Sequence, residues 1–88
     1  MNSNLQKYIE KRLSKLNLYY NRIVSIDLYL NLDNHNDQTN KSVELRVNIP
    51  GDDVVVGKKS ESFEKSLDMA ASSAERMLKR RKEKSRIS

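Results

Sequence analysis

The sequence predicts an α+β fold of two layers, a three-stranded antiparallel sheet covered on one face by two helices in the order α-β-β-β-α. Three observations predict it. Apolar residues recur at helical spacing near both ends of the chain, from Leu5 to Leu16 and from Phe63 to Leu78. Between them the period drops to two, in Ile23–Leu32, in Ser42–Ile49 and more briefly in Val54–Lys59. Such alternation makes one sheet face apolar and the other wet, and the two amphipathic helices are the available cover for the apolar face.

The first helix is expected over about Leu5–Leu16, capped by Ser3 or Asn4, with Leu5, Tyr8, Ile9, Leu13 and Leu16 on one face. Lys7, Lys11, Arg12 and Lys15 fall on its flank or outer side. Asn17–Arg22 reads as a connector whose Tyr19 and Tyr20 wedge into the core. In the first strand Val24, Ile26, Leu28, Leu30 and Leu32 point one way and Ser25, Asp27, Tyr29 and Asn31 the other. Asp33–Lys41 is a polar loop. Val43, Leu45, Val47 and Ile49 define the second strand. Pro50-Gly51-Asp52-Asp53 is a turn by its chemistry, since proline presets φ and glycine frees the next residue. The last helix runs from Ser62 to about Arg86, with Ser62 as N-cap and Glu64 and Asp68 near the positive end of its dipole. Its stripe of Phe63, Leu67, Ala70, Ala71, Ala74, Met77 and Leu78 gives way to Lys79, Arg80, Arg81, Lys82, Lys84 and Arg86.

Eighty-eight residues suit a single domain, here 1–88 with a basic tail from about 82, holding one modest core. There is no cysteine, so neither a disulfide framework nor a thiolate nucleophile. No apolar run approaches the ~20 residues that span a bilayer, and no signal peptide precedes the first helix. The reading is cytoplasmic, with no membrane partner.

Charge is distributed unevenly. Residues 1–22 carry +4, residues 23–57 carry −4 and residues 58–88 carry +5, within a net +5. Basic ends around an acidic middle suggest a two-faced molecule aimed at a polyanion. Catalysis is not expected. His35 sits in a loop of asparagines and aspartates without a patterned partner, and reads as a solvated loop residue. Asp33, His35 and Asp37 match no calcium-loop spacing and lack the bidentate glutamate that ends such loops. The only glycines, Gly51 and Gly57, form no phosphate-cradling loop. No enzyme, cofactor, metal or small-molecule substrate is predicted.

The basic cluster carries the stronger signal. A solvated helix end is the ordinary meaning of such a run, but here positive charge sits on both helices and Lys58-Lys59 stands just before the second one. A surface of this kind binds phosphates through counterion release, with strong salt dependence and little sequence preference. No pair of exposed aromatics of the RNA-recognition-domain type is present for base stacking.

Two families share this order of elements. GKKSESFEKSLDMAASSAERML superficially resembles the last strand and helix of a double-stranded-RNA-binding domain. However, Lys58-Lys59 precede the cap by three residues instead of standing at the helix N-terminus, and the glycine-proline-histidine loop of that family is missing. That domain, as a stand-alone module, is the alternative function. LQKYIEKRLSKLNLYYNRIVSIDLYL and VELRVNIPGDDVVVGKKSESFEKSLDMAASSAERMLKRRKEK are together similar to the ribosome hibernation promoting factor family, also called ribosome-associated inhibitor A. The resemblance runs from about Leu5 to Lys84. It rests on Arg12-Leu13-Ser14-Lys15-Leu16 before an aromatic connector, the proline-glycine turn, Ser62-Phe63 opening the helix, Leu67-Asp68, and Glu75-Arg76-Met77-Leu78 before the basic end.

The resemblance implies a protein that binds the small ribosomal subunit in the channel for messenger RNA and tRNA anticodon ends, blocking translation and preserving idle ribosomes. The basic positions it matches are Lys11, Arg12, Lys15, Arg22, Lys59, Arg76, Arg80 and Lys84, as phosphate contacts to ribosomal RNA. Lys79 and Lys82 join them on charge alone. The family places a strand before the first helix, parallel to the strand equivalent to Ile23–Leu32, whereas this chain starts almost directly on the helix. Its order of elements is therefore expected to be α-β-β-β-α against the family's β-α-β-β-β-α. Either the chain is shortened or it works with three strands, and in the second case the Val24–Leu32 strand is an unpaired edge open to self-association. Lacking the dimerising domain of the long form, the chain resembles the short form.

Overall fold

The computed structural model describes residues 3–32 and 40–87, with side chains described as far as Lys82. Five elements follow in order: α1 (Ser3–Tyr19), β1 (Ser25–Leu32), β2 (Lys41–Ile49), β3 (Asp52–Ser60) and α2 (Phe63–Ile87). The sheet has the order β1-β2-β3 with both pairings antiparallel, and both helices pack on one of its faces. This is the predicted two-layer α+β fold. The predicted loop at 33–39, with His35, Asp33 and Asp37, lies outside the described residues.

Local chemistry accounts for most boundaries. Pro50 and Gly51 are the two central residues between paired Ile49 and Asp52, and Gly51 takes φ 84, the left-handed backbone that a type II turn demands at its second central position. Asp52 and Asp53, expected in the turn, instead open β3. Ser62 caps α2 as predicted, its hydroxyl accepting from the Lys65 N–H at 3.1 Å. Behind it a serine cluster seals the junction with the sheet. The buried Ser60 hydroxyl lies 2.7 Å from Ser66 Oγ, and the Ser66 hydroxyl donates to the Lys41 carbonyl at 2.7 Å.

α1 is longer than its apolar pattern. It already includes Ser3 and Asn4, so neither is its cap, and it continues through the expected connector to Tyr19. Asn17, Leu18 and Tyr19 contain no glycine or proline to stop it, and the Tyr20 N–H still reaches the Leu16 carbonyl at 2.9 Å. The rotation that follows carries Tyr19 outward, 41% exposed, while Tyr20 alone packs against the core.

The core lies between α2 and the two strands β2 and β3. Val43, Leu45, Val47, Ile49, Val54 and Val56 meet Leu67, Ala70, Ala74 and Leu78, with Leu16 from α1 closing one side. Ala70 and Ala74 let α2 approach the strands closely, and Leu67 and Leu78 fill the space above and below them. β1 is treated differently. Its inward residues Ile26, Leu28 and Leu30 are only half-buried, and Val24 and Leu32 are 71% and 55% exposed. The alternation was read correctly, but α1 leans toward α2 and leaves both ends of β1 uncovered.

That lean has a visible cause. Arg12, with its side chain only 16% exposed, donates to Glu75 at 2.9 Å, to Asp68 at 3.3 Å and to Ser72 at 3.5 Å. The Tyr8 hydroxyl donates to the other oxygen of Asp68 at 2.6 Å. Partners advance together along both helices, Tyr8 with Asp68 and Arg12 with Ser72 and Glu75, so the helices run in the same direction. The Tyr8 phenol is held above its ordinary pKa, first by its bond to the Asp68 carboxylate and second by desolvation.

Two outcomes follow from this packing. Leu67→Ala costs about 2–5 kcal/mol in denaturant unfolding, whereas Leu18→Ala, at an 87% exposed position, changes stability by less than about 0.5 kcal/mol. In a spectrophotometric tyrosine titration, Tyr8→Phe removes the step lying above the ordinary tyrosine range and Asp68→Asn lowers it. Because the folded pKa is the raised one, the contribution of Tyr8 to stability is complete below about pH 10 and is lost as pH climbs through the folded value.

Candidate nucleic-acid interface

A single row of cations runs along α1. Lys7, Lys11 and Lys15 recur every four residues, all exposed, on the side turned away from the sheet. α2 carries its own exposed set, Arg76, Lys79, Arg80 and Lys82. Because the helices are parallel, their offset sets Lys15 level with Glu75 to Leu78, and the C-terminal end of α1 level with Lys79 to Lys82. Arg22 is exposed in the turn just after α1. Lys15, Arg22, Lys79, Arg80 and Lys82 therefore collect at one pole of the helical layer.

The pole is rigid where it meets the sheet. Arg81 points back from α2 and pairs with Asp52 at the start of β3, fixing the last described turn of side chains against the hairpin. The Asp52 carboxyl is held below its ordinary value, first by the Asp53 N–H and second by the Arg81 guanidinium. So Arg81 is spent on structure, while its neighbours Arg80 and Lys82 are exposed. A helix of 25 residues is about 37 Å long at 1.5 Å per residue, which carries its basic end past the turn at Pro50-Gly51.

The other sequence-selected residues take different places. Arg12 lies between the helices, with its guanidinium held by two carboxylates and a hydroxyl, and serves as their tether. Lys59 lies on the open face of the sheet, because β3 directs Val54, Val56, Lys58 and Ser60 toward the helices and its alternate residues away. Arg76 is exposed and donates to Ser73 at 3.1 Å. Lys84 belongs to α2, although its side chain is outside those described. Lys7 continues the row of Lys11 and Lys15, and its spacing of four from Lys11 was the signal in the sequence for adding it to the candidates.

Among the described residues no group of three or more histidine, cysteine or acidic side chains is placed to hold a metal. None of the described helices is long and apolar enough to cross a membrane. What the described residues offer chemically is a set of hydrogen-bond donors and positive charges. It suits contact with phosphate oxygens.

Comparison with known proteins gives a consistent answer. The chain is 25% identical over 80 residues to a ribosome hibernation promoting factor of Azotobacter vinelandii, covering 91% of this chain and 71% of that protein. Its fold is similar to that of a ribosomal subunit interface protein from Coxiella burnetii, with a TM-score of 0.74 at 21% identity over 92% of this chain and 85% of the other. It is also similar to the N-terminal domain of Protein Y from Thermus thermophilus, with a TM-score of 0.69 at 22% identity over 91% and 84%. The family model described as Sigma 54 modulation protein / S30EA ribosomal protein matches residues 1–86, and the chain belongs to that family.

Proposed function

We propose that this protein binds the small ribosomal subunit in the channel for messenger RNA and tRNA, holds ribosomal RNA phosphates with its helical layer, and thereby inhibits translation in the cytoplasm of idle cells. The observation that carries this reading is the convergence of cations from two parallel helices and the turn after α1 on one pole. Family membership and the hibernation-factor relative support it. Lys7, Lys11 and Lys15 form one line of phosphate contacts, and Lys79, Arg80, Lys82 and Lys84 a second. Arg22 sits where the two lines close. Arg12 keeps the lines at a constant separation, and Arg76 and Lys59 reach RNA that passes the flank of α2 and the open sheet face.

Sedimentation with isolated subunits tests the reading. The protein is expected to travel with the small subunit, to be displaced by messenger RNA with tRNA, and to release as salt is raised, since each neutralised phosphate steepens the salt dependence. The triple variant Lys79→Glu, Arg80→Glu, Lys82→Glu is expected to lose binding by at least about 100-fold, with unfolding changed by no more than about 0.5 kcal/mol, because these are exposed positions beyond the core. Retained subunit binding in the triple variant overturns the assignment of the pole. Equal affinity of the unaltered protein for any RNA duplex points instead to a double-stranded-RNA-binding module.

A further inference from the structure

From the free edge of β1 and the palindromic pattern along it, we infer that this chain pairs with a second copy of itself through β1, forming a six-stranded sheet. Among the described residues Ser25–Leu32 pairs as a strand only with β2, so alternate N–H and C=O groups of β1 face outward. Beside them Gln6, Ile9 and Glu10 of α1 and Leu28 and Leu30 of β1 line an open groove of about 530 Å³, with room for several aliphatic side chains. Val24 and Leu32 flank it, both largely exposed.

The opposite edge shows what a protected strand looks like. β3 carries Asp52, Asp53, Lys58 and Lys59, and Lys58 lies on its helix-facing side, where a charge obstructs an added strand. β1 has no lysine and no proline, and Asp27 is its only charge. Only one register makes this edge complementary to itself. Antiparallel pairing about a two-fold axis at Leu28 sets Leu28 against its counterpart, Ile26 against Leu30 and Val24 against Leu32, all on the helix side. On the open side it sets Asp27 against Tyr29 and Ser25 against Asn31. Moving the axis to Asp27 opposes two carboxylates. Moving it to Tyr29 leaves Val24 without a partner, and a slip of one residue places apolar side chains against polar ones.

The expected contact is small. Nine residues of strand are about 30 Å long, and the edge with the helix flank above it is on the order of 20 Å deep, so each copy covers on the order of 600 Å². The total of about 1,200 Å² is the lower bound of specific interfaces, which makes the dimer concentration-dependent. Lys79–Lys82 are carried by α2, whereas Arg22 of the same pole stands just before Val24 at one end of the pairing edge; the dimer is tested with the protein alone and does not rest on ribosome binding.

Sedimentation equilibrium from about 1 µM to about 500 µM is the test, these limits bracketing the range in which an interface of that size dissociates. Monomer at the low end and dimer at the high end are expected. Val24→Lys with Leu32→Lys, at exposed positions, should weaken dimerisation at least tenfold with an unchanged melting curve at low concentration. The chain has no cysteine, so Ser25→Cys combined with Asn31→Cys reports the register directly, forming disulfide-linked dimers under mild oxidation. A monomer throughout the range overturns the inference, as does a dimer indifferent to the two lysines. Preferential capture of an added extended peptide over a second copy would give the edge to a foreign strand and equally overturn it.

Discussion

Everything in this molecule depends on how closely α2 lies across β2 and β3. Alanines at 70 and 74 remove the side-chain bulk that would hold the helix away, and Leu67 and Leu78 fill the space on either side of them. Roughly 25 cal/mol per Å² of apolar surface removed from water makes this contact the main source of stability in so small a chain. It also fixes the direction of α2, which runs back over β3 so that its basic end emerges above the turn at Pro50-Gly51. The placement of the cationic pole is thus a consequence of core packing.

α1 is held by a different kind of force. Its only fully buried apolar residue is Leu16, with Ile9 and Leu13 half-buried against the core, and its seating is completed by Arg12 and Tyr8 meeting Asp68, Ser72 and Glu75 on α2. A polar tether of this kind is directional where apolar contact is not, so it sets the spacing between the two lines of lysines and arginines. It also draws α1 toward α2 and away from the outer end of the sheet. The same interaction that orders the cationic surface therefore leaves β1 half covered, and the two surfaces of interest in this protein share one cause.

The acidic middle of the chain fits this division. Asp27, Glu44 and Asp53 lie on the sheet away from the helices, whereas Asp68 and Glu75 stand between the helices as partners of Arg12. Of these five carboxylates, three are kept off the helical layer and two are used within it, while Glu10 and Glu64 remain exposed on the helices. A polyanion approaching the helices meets lysine and arginine first, which is the polarity that steers association.

Local chemistry was enough for the sequence to determine the element types, the Pro50-Gly51 turn, the Ser62 cap and the apolar faces of β2, β3 and α2, because periodicity and backbone preference act within a few residues. The basic character of both helices was equally plain, since charge is written residue by residue. Three things were decided only in three dimensions. Arg12 and Arg81 look like their basic neighbours in the chain, yet carboxylates 29 to 63 residues distant claim them. Lys59 sits beside Lys58 in sequence, but strand alternation turns the two to opposite faces of the sheet. And the apolar row of β1, as regular as that of β2, is left half exposed, because burial depends on what packs above a strand and no local pattern records that.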